Sequence, residues 1–272
     1  MQVVLITGAS SGMGLETAKY LAKQNFKVYA ATRNPQKLLH LQEKNIVPIT
    51  LDVTSPKSVE ECVAYILTQE KTIDILINNA GYGLVSSVED CTEEEMLAQF
   101  NVNLFGVLRV CKSVIPVMRE HQKGVIINIS SFLGKIGLPL LTFYNASKYA
   151  LEGVTDSLRY ELREFNIRVH SILPGFFDTQ FARDNLVVNA KVFQENFAYK
   201  YLVKDFVPMI VDQINNGNSA KEVAALVLEI IEDEYFVSRV TVGEKAKKFL
   251  PMRKELSDED FERRVREYYS LG

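Results

Sequence analysis

The sequence has few of the residues that build disulfide frameworks or metal sites. Only three of its 272 residues are cysteine and three are histidine. Cys62, Cys91 and Cys111 are odd in number, widely spaced and without a C-x-x-C pair, which indicates reduced thiols in the cytosol. The histidines, at positions 40, 121 and 170, form no i, i+4 pair and stand apart from the cysteines. We therefore expect no metal site.

The chain also lacks an excess of positive charge and a long apolar run. Its formal net charge is -3 with a pI near 5.8, and its Lys and Arg residues are scattered. Nucleic acid and anionic membranes select a basic face, so neither is expected as a partner. Residues 2–7 are apolar but too short and without the basic lead of a signal peptide, and no apolar run is long enough to span a bilayer. We expect a soluble, cytoplasmic protein that begins at or near Met1.

What the chain does contain is a regular alternation of strand and helix patterns. Hydrophobic residues make up 47% and charged residues 24%, ordinary values for a globular protein, and no linker or repeat interrupts them. Apolar, β-branched runs predict strands at 2–6, 27–32, 45–51, 73–77, 124–131, 167–173 and 236–242. Helical patterns between them predict an α/β fold with a doubly wound parallel sheet of about seven strands. We expect one domain over residues 1–272.

A glycine-rich turn separates the first strand from the first helix. Strand, glycine turn and helix follow in the order that a dinucleotide site requires, because glycine lets the backbone approach a pyrophosphate and the helix N-terminus favours an anion. The spacing is G-x-x-x-G-x-G instead of the commoner G-x-G-x-x-G. The candidate cofactor-binding residues of this turn are Thr7, Gly8, Ser10, Ser11, Gly12, Met13 and Gly14.

The end of the second strand indicates which dinucleotide is bound. A site selective for NAD places an acidic residue there, roughly 20 residues after the glycines, to bind the ribose 2′-hydroxyl. This chain has Thr32 followed by Arg33, and a guanidinium suits a 2′-phosphate. We therefore predict NADP(H) in preference to NAD(H); the alternative is that Arg33 is a solvated loop residue. Asp52 and Val53 end the third strand, where the carboxylate can accept a hydrogen bond from an adenine amino group or serve only as a turn residue.

Candidate reactive groups lie later in the chain. Tyr144 and Lys148 fall at i and i+4 on one face of a predicted helix, so both can contact one ligand. A fixed ammonium is expected to lower the pKa of a nearby phenol, which would suit Tyr144 to acid/base work. The pattern Tyr-x-x-x-Lys arises by chance on the order of once in such a chain. Its meaning depends on the other motifs.

Those motifs together resemble the short-chain dehydrogenase/reductase family. The resemblance covers about residues 2–180. It rests on the glycine turn Thr7-Gly8-x-x-x-Gly12-x-Gly14, then Asn78-Asn79-Ala80-Gly81, Asn103, Ser131, Tyr144-x-x-x-Lys148, and Pro174-Gly175 with Thr179. Each motif alone is weak, but six in this order are highly specific. The resemblance implies a Rossmann fold.

The resemblance also implies a role for each matching residue. Tyr144 would be the acid in carbonyl reduction and the base in alcohol oxidation, and Lys148 would hold the nicotinamide ribose and lower the Tyr144 pKa. Ser131, thirteen residues before Tyr144, would bind the substrate oxygen in preference to Ser130, and Asn103 would hold a water of the proton relay. Cofactor contacts are implied for Asn79, Ala80, Gly81, Pro174, Gly175 and Thr179, with Asn79 bracing the sheet edge.

Three other functions share part of this set of motifs. A non-catalytic NADP-binding regulator would typically have lost part of the Asn, Ser, Tyr and Lys set. A nucleotide-sugar epimerase or dehydratase usually shows G-x-x-G-x-x-G and a longer C-terminal domain. An NAD-dependent alcohol dehydrogenase of the same family differs only in the evidence around Arg33.

Two segments break the alternation. Residues 176–218, the lid segment, are rich in Phe and Tyr without a clear strand and follow the sixth strand where ligands bind. They predict a helical lid or pocket wall for a bulky apolar substrate, with ordinary core packing as the equal alternative. Residues 244–272 form an extension in which Ser257-Asp258-Glu259-Asp260 precedes an amphipathic helix with Phe261, Val265 and Tyr268.

The same features resemble family members that act on steroids, retinoids or other large apolar alcohols and ketones. The family commonly pairs the Asn103 and Tyr144 helices between subunits. The helix around Asn103 is apolar over more than one face, so a homodimer or homotetramer is expected.

Overall fold

The computed structural model describes residues 1–41, 43–179, 185–233 and 237–271. Its centre is a seven-stranded parallel sheet in the order β11-β7-β6-β4-β1-β2-β3. The strands are β1 (Val3–Thr7), β2 (Lys27–Thr32), β3 (Ile46–Thr50), β4 (Ile75–Asn78), β6 (Gly124–Ile129), β7 (Ile167–Pro174) and β11 (Arg239–Val242). The predicted α/β fold with a doubly wound parallel sheet is confirmed. Residue 236, where the last strand was predicted to begin, lies outside the described residues.

Helices cover both faces of the sheet because the strand side chains alternate between two cores. Val4 and Ile6 of β1 belong to a core with helices α1 (Gly12–Lys23) and α7 (Ala220–Glu232). Val3 and Leu5 belong to the opposite core, with α2 (Pro56–Glu70), α4 (Val107–Glu120) and α5 (Thr142–Leu162). A strand buried on both faces reads as a continuous apolar run, which is why these strands were visible in the sequence.

A third core lies beside the sheet and joins the lid segment to the C-terminal extension. Helices α6 (Lys200–Asn215), α8 (Glu244–Glu255) and α9 (Asp258–Tyr269) contribute to it. Phe249 and Tyr269 are fully buried there, and Phe206 packs edge-on against Tyr269 at 5.5 Å between ring centroids. Tyr268, expected on the apolar face of the last helix with Phe261 and Val265, is partly buried against this core and packs edge-on against Phe249 at 5.1 Å. Its neighbour Tyr269 is the fully buried residue, and Lys248 Nζ lies 4.0 Å from the Tyr268 ring centroid.

The lid segment contains more regular structure than its sequence indicated. Strand β8 (Phe177–Asp178) pairs with β10 (Asn218–Ser219), and β9 (Leu186–Val188) pairs with β5 (Gly83–Val85). Phe176, Phe177, Phe197 and Phe206 are buried, whereas Phe193 and Tyr201 are exposed. Phe181 lies outside the described residues. Core packing therefore accounts for many of the aromatic residues, and we keep the lid function as a proposal.

The helical segment after β5 is interrupted by an unusual turn. Helix α3 (Glu93–Phe100) begins at a complete capping box formed by Thr92 and Glu95, and a π-helical turn (Asn101–Gly106) separates it from α4. Single π turns inside α-helices are frequent at functional sites. By length and composition alone, Glu93–Glu120 is apolar enough to cross a membrane, and it is the one such helix among the described residues.

Candidate active site

A cavity of about 540 Å³ opens at the carboxyl ends of the central strands. The chain leaves β3 on one side of β1 and continues to β4 on the other, which makes this edge the switch point at which open α/β sheets bind ligands. Most of the predicted site residues line it: Gly8, Ser10, Ser11, Gly12, Met13, Arg33, Asp52, Val53, Asn79, Ala80, Gly81, Tyr144, Lys148 and Thr179.

The glycine turn can take only glycine at several points. Gly8 and Gly12 have φ of 65° and 55°, in the left-handed region. A Cβ at Gly8 would lie 2.8 Å from the Ala80 Cα, and one at Gly14 would lie 2.7 Å from the Gly8 carbonyl oxygen. The turn is therefore held tight beside the N-terminus of α1, and its bare backbone faces the cavity. This arrangement fits the pyrophosphate of a dinucleotide.

Two predicted residues, Thr7 behind the cavity wall and Asn79 on it, join the ends of two strands. The buried Thr7 hydroxyl accepts hydrogen bonds from the backbone N–H groups of Asn79 and Ala80, both at 3.0 Å. The Asn79 side chain donates to the carbonyls of Thr7 and Gly8, also at 3.0 Å. The ends of β1 and β4 are thus joined by side-chain hydrogen bonds, as the bracing role of Asn79 requires.

The far end of the cavity carries opposite charges. Arg33 is exposed there and follows the buried Thr32, whose hydroxyl accepts from the Asn34 N–H at 3.3 Å. Partial burial raises the pKa of Asp52, but hydrogen bonds from Thr54 and the charges of Arg33 and Arg109 outweigh it and leave the pKa below its usual value. Asp52 is therefore an ionised acceptor near neutral pH.

Arg109 is a brace that the sequence did not single out. Its guanidinium donates to the Val53 carbonyl at 3.2 Å and to the Asn101 carbonyl at 3.3 Å. Gly106 lies against Val53, since a Cβ there would approach the Val53 Cγ2 to 2.8 Å. The loop beside Asp52 is in this way tied to the π turn that carries Asn103. Only a long-range contact reveals this link.

Tyr144 and Lys148 line the other half of the cavity, and Ser131 hydrogen-bonds to Tyr144 from just outside it. Burial raises the pKa of Tyr144 to about 12, although a hydrogen bond with Ser131 opposes the shift. The prediction that an ammonium lowers this pKa is therefore wrong for the protein alone: Lys148 Nζ lies 5.8 Å from the Tyr144 ring centroid and donates to the Ile129 carbonyl at 2.9 Å. Burial lowers the pKa of Lys148 to about 8, and Glu152 counteracts it.

Asn103 is fully buried in the π turn and supports the site from behind. Its Nδ2 donates to the Tyr82 carbonyl at 2.9 Å and to Ser147 Oγ at 3.1 Å, and its Oδ1 accepts from the Tyr82 N–H at 3.0 Å. Gln99, one turn earlier, donates to the same carbonyl at 2.8 Å. Both amide hydrogens of Asn103 are used, so its side chain holds the Tyr82 loop against α5.

Ser130 and Ser131 differ in their surroundings. Ser131 caps the following 3-10 turn by accepting from the Leu133 N–H at 3.1 Å, and it bonds to Tyr144. The Ser130 hydroxyl is buried and has no hydrogen-bond partner among the described residues. The interval of thirteen residues thus selected the serine that contacts Tyr144.

A second, smaller cavity of about 70 Å³ adjoins the first at Tyr144. Its wall includes Ser130, Ser131, Pro174, Gly175 and Thr179, and the rest is almost entirely apolar: Met13, Gly83, Leu133, Leu141, Phe176, Phe177, Leu186, Ile210 and Ile214. Pro174 and Gly175 therefore line this cavity and not the larger one. Thr7, Gly14 and Asn103 line neither.

Some residues of the two cavities had no motif to mark them. Tyr82, Glu95 and Val187 line the larger cavity, and Ile210 and Ile214 line the smaller one. Ile210 and Ile214 stand four residues apart on α6, which is a helical spacing but equally that of any core-facing helix. Among the described residues, no group of three or more His, Cys, Asp or Glu is gathered as a metal site.

The chain is similar to proteins with related names over nearly its whole length. The family model of short chain dehydrogenases matches residues 2–187. A 3-ketodihydrosphingosine reductase from Bacteroides thetaiotaomicron is 36% identical, with 92% of this chain and 93% of the relative covered. A probable short-chain type dehydrogenase/reductase from Helicobacter pylori is 33% identical over 92% and 91%. The crystal structure of a short-chain dehydrogenase from Streptomyces avermitilis superposes with a TM-score of 0.85 at 30% identity, covering 100% of this chain and 97% of that one.

Proposed function

The chain belongs to the short-chain dehydrogenase family, and on this premise we propose that it is an NADP(H)-dependent oxidoreductase that interconverts a carbonyl and an alcohol on a bulky apolar substrate. The observation that supports it best is the position of Tyr144. Its phenol borders both the large polar cavity and the small apolar one, in contact with Ser131. A reacting carbonyl at this junction has a proton donor beside it and an apolar wall beyond it.

The state of Tyr144 suits the reductive direction. With a pKa near 12 the phenol is protonated at neutral pH and is ready to donate to a developing alkoxide. Oxidation of an alcohol needs the phenolate, which burial disfavours. The bound nicotinamide would supply the hydride.

Ser131 and Lys148 have distinct proposed roles around that oxygen. The Ser131 hydroxyl would donate a second hydrogen bond to the substrate oxygen as negative charge grows there. Lys148 remains largely charged below its pKa of about 8, so it would hold the ribose hydroxyls and stabilise negative charge on Tyr144. Asn103 would position this group through Ser147 and Tyr82. The backbone of Asn103, and not its side-chain amide, would then contact the proposed water.

The preference for NADP(H) is supported by the end of β2. Thr32 cannot accept like a carboxylate at the 2′-position, and Arg33 supplies a cation at the same edge of the cavity. The glycine turn, Ala80, Gly81 and Thr179 would hold the rest of the dinucleotide. An NAD-dependent alcohol dehydrogenase of this family is the alternative, and Asp52 beside Arg33 is the feature that favours it.

The substrate class is supported by the wall of the small cavity. Leu141, Leu186, Ile210 and Ile214 offer no hydrogen bond from their side chains, so selection there would follow apolar size and shape. The relative from Bacteroides thetaiotaomicron is named for reduction of the keto group of a dihydrosphingosine. We propose a ketone on a largely apolar molecule, with the lid segment forming part of the substrate wall within a single domain and residues 244–272 as its structural support.

The test is NADPH consumption against ketones and aldehydes graded from small and polar to long-chain and polycyclic. Turnover that increases with apolar size is the expected result. A panel without turnover above that of Tyr144→Phe protein, with NADPH still bound, would favour the non-catalytic regulator. An epimerase function is disfavoured, because the G-x-x-x-G-x-G spacing of this chain differs from the G-x-x-G-x-x-G usual in that branch.

We also propose a cytoplasmic homodimer or homotetramer. Apolar side chains are exposed along the helices that flank the site: Leu97 at 56%, Phe105 at 44%, Leu108 at 37% and Tyr149 at 46%. Burying such a stripe against a second copy would gain about 25 cal/mol per Å². Leu108→Glu should shift the protein toward monomer in light scattering, while Tyr65→Glu, at an exposed position on α2, should not. A monomeric wild type would contradict the proposal.

A further inference from the structure

Behind Lys148 lies a buried carboxylate to which the family motifs assign no role. Glu152 follows Lys148 by one helical turn on α5 and is 1% exposed. A buried carboxylate is costly unless it is paired and hydrogen-bonded, so its partners show what it does.

The partners of Glu152 come from three other parts of the fold. Oε1 accepts from the Ser171 hydroxyl on β7. Oε2 pairs with Arg239 Nε on β11 at 2.5 Å and with Lys135 Nζ at 3.5 Å. Arg239 also binds Asp156, one turn further along α5, at 2.7 Å. One carboxylate thus joins α5 to two strands and to the turn that begins at Ser131.

The contact with that turn is close. A Cβ at Gly134 would lie 3.0 Å from the Lys148 carbonyl oxygen and 3.1 Å from both Glu152 Cγ and Ser130 Oγ. The residues after Ser131 therefore lie directly on the Lys148–Glu152 turn of α5. Movement of Glu152 would displace Ser131 relative to Tyr144.

Glu152 also affects the charge of Lys148. The groups beside the ammonium are the Tyr144 ring on the same helix, the Ile129 carbonyl and, across Gly81, the Asn103 Oδ1 of the π turn. Of these, none carries a negative charge at neutral pH. Glu152 is the carboxylate that opposes the effect of burial on the Lys148 pKa.

We propose that Glu152 is a positioning residue of the active site, which holds the Ser131 turn and β11 against α5 and supplies the negative charge that keeps Lys148 charged. The inference rests on the proposed function of Lys148. It extends that function by making the last strand of the sheet part of the support for the reacting groups.

The first measurement is the titration of Lys148 in the cofactor-free protein. NMR of ¹³C-labelled lysine would report it, with the resonance assigned by its loss in Lys148→Arg. In Glu152→Gln the midpoint should fall by about one pH unit, a roughly tenfold change in the ionisation constant. Glu152→Asp keeps the negative charge, so its Lys148 midpoint should lie close to that of the wild type. Asp156→Asn removes the other carboxylate from Arg239 and should leave the midpoint unchanged.

The second measurement is the pH dependence of kcat/KM for NADPH-dependent reduction. Lys148 loses its charge as pH rises through about 8, so activity should fall on the alkaline side, and in Glu152→Gln the fall should occur at lower pH. If Glu152→Gln lowers Tm but moves neither the Lys148 midpoint nor the alkaline limb, Glu152 is a structural ion pair and the inference is wrong.

Two further outcomes are also decisive. Should Glu152→Gln not fold, Lys135→Met removes a cation from the half-exposed side of the carboxylate and should raise the Lys148 midpoint; no change would overturn the inference. Should the wild type reduce no carbonyl, the proposed function fails, while the titration of cofactor-free protein still tests the effect of Glu152 on Lys148.

Discussion

The two cavities that meet at Tyr144 are built in opposite ways. The larger one is formed by strand ends and by a glycine turn whose backbone faces the ligand, and most of its wall comes from short segments before residue 82. The smaller one is formed by apolar side chains from segments as distant as Met13, Leu141 and Ile214. Backbone and charge therefore define one side, and packed side chains define the other.

Because the two cavities are built differently, substitutions in their walls should have different effects. Gly8 and Gly14 of the turn beside the larger cavity have one acceptable identity, because a Cβ at either would strike backbone atoms. An aliphatic residue in the smaller cavity can be exchanged for another of similar volume at a cost of usually less than about 1.5 kcal/mol. We expect substitutions in the first to affect cofactor binding or chemistry and those in the second to change the choice of substrate.

Removing the Tyr144 hydroxyl, where the two cavities meet, should have the largest effect. Tyr144→Phe deletes the proton donor but keeps the ring, so turnover should fall by about 10²- to 10⁴-fold. Binding of NADPH, followed by its fluorescence, should change little because only the hydroxyl is lost. Full activity in this variant would exclude Tyr144 as the acid.

Adding one methyl group to the glycine turn should disable the larger cavity. In Gly14→Ala the new Cβ would lie 2.4 Å from Asn79 Nδ2 and 2.7 Å from the Gly8 carbonyl oxygen, so the turn must shift. We expect a destabilisation of about 1–3 kcal/mol in thermal unfolding and a loss of NADPH affinity. The matched control is Gly153→Ala on α5, where a Cβ meets nothing within 4 Å and a gain of about 0.5–1 kcal/mol is expected.

The choice between dinucleotides should depend on one charge. Arg33→Ala should weaken NADPH binding by about 10- to 100-fold, the range of one or two hydrogen bonds to a charged group, and leave NADH binding nearly unchanged. Titration calorimetry with both cofactors measures this, and Lys37→Ala, an exposed neighbour, serves as control. Equal loss for both cofactors would show that Arg33 does not read the 2′-phosphate.

Filling the smaller cavity should alter substrate use alone. Ile214→Phe places a larger side chain in a cavity of about 70 Å³ and so reduces the space for substrate. KM for a large apolar ketone should rise several-fold, which corresponds to a loss of about 1 kcal/mol of binding free energy, while the NADPH dissociation constant stays the same. Asn215→Phe, at the exposed next position, is the control. An unchanged preference across the ketone series would remove this cavity from the substrate site.

Local sequence patterns predicted the strands of the sheet and most residues of the larger cavity. Parallel strands buried on both faces are apolar throughout, so their limits were visible to within a few residues, and their carboxyl ends had to meet at one edge. The turn from Thr7 to Gly14 and the exit at Asn79 could be placed for that reason. The dinucleotide preference and the catalytic roles remain predictions.

Other features arose only from contacts between distant segments. Burial, and not the nearby ammonium, dominates the pKa of Tyr144, and burial depends on the whole surrounding fold. The last helix buries Tyr269 fully in addition to packing Tyr268 against the third core, because the surrounding helices enclose more of its face than the pattern indicated. Arg109 binds the Val53 carbonyl and Glu152 binds Arg239, each more than fifty residues away in sequence. No local pattern in the sequence could indicate these contacts.

The sequence by itself determined the order of strands and helices, the glycine turn and the spacing of Ser131, Tyr144 and Lys148, because each depends on backbone geometry within a few residues. The tertiary structure decided which side chains surround those groups, how far burial shifts their pKa values and what shape the apolar cavity takes. Those properties depend on desolvation and packing, which are sums over atoms brought together from the whole chain.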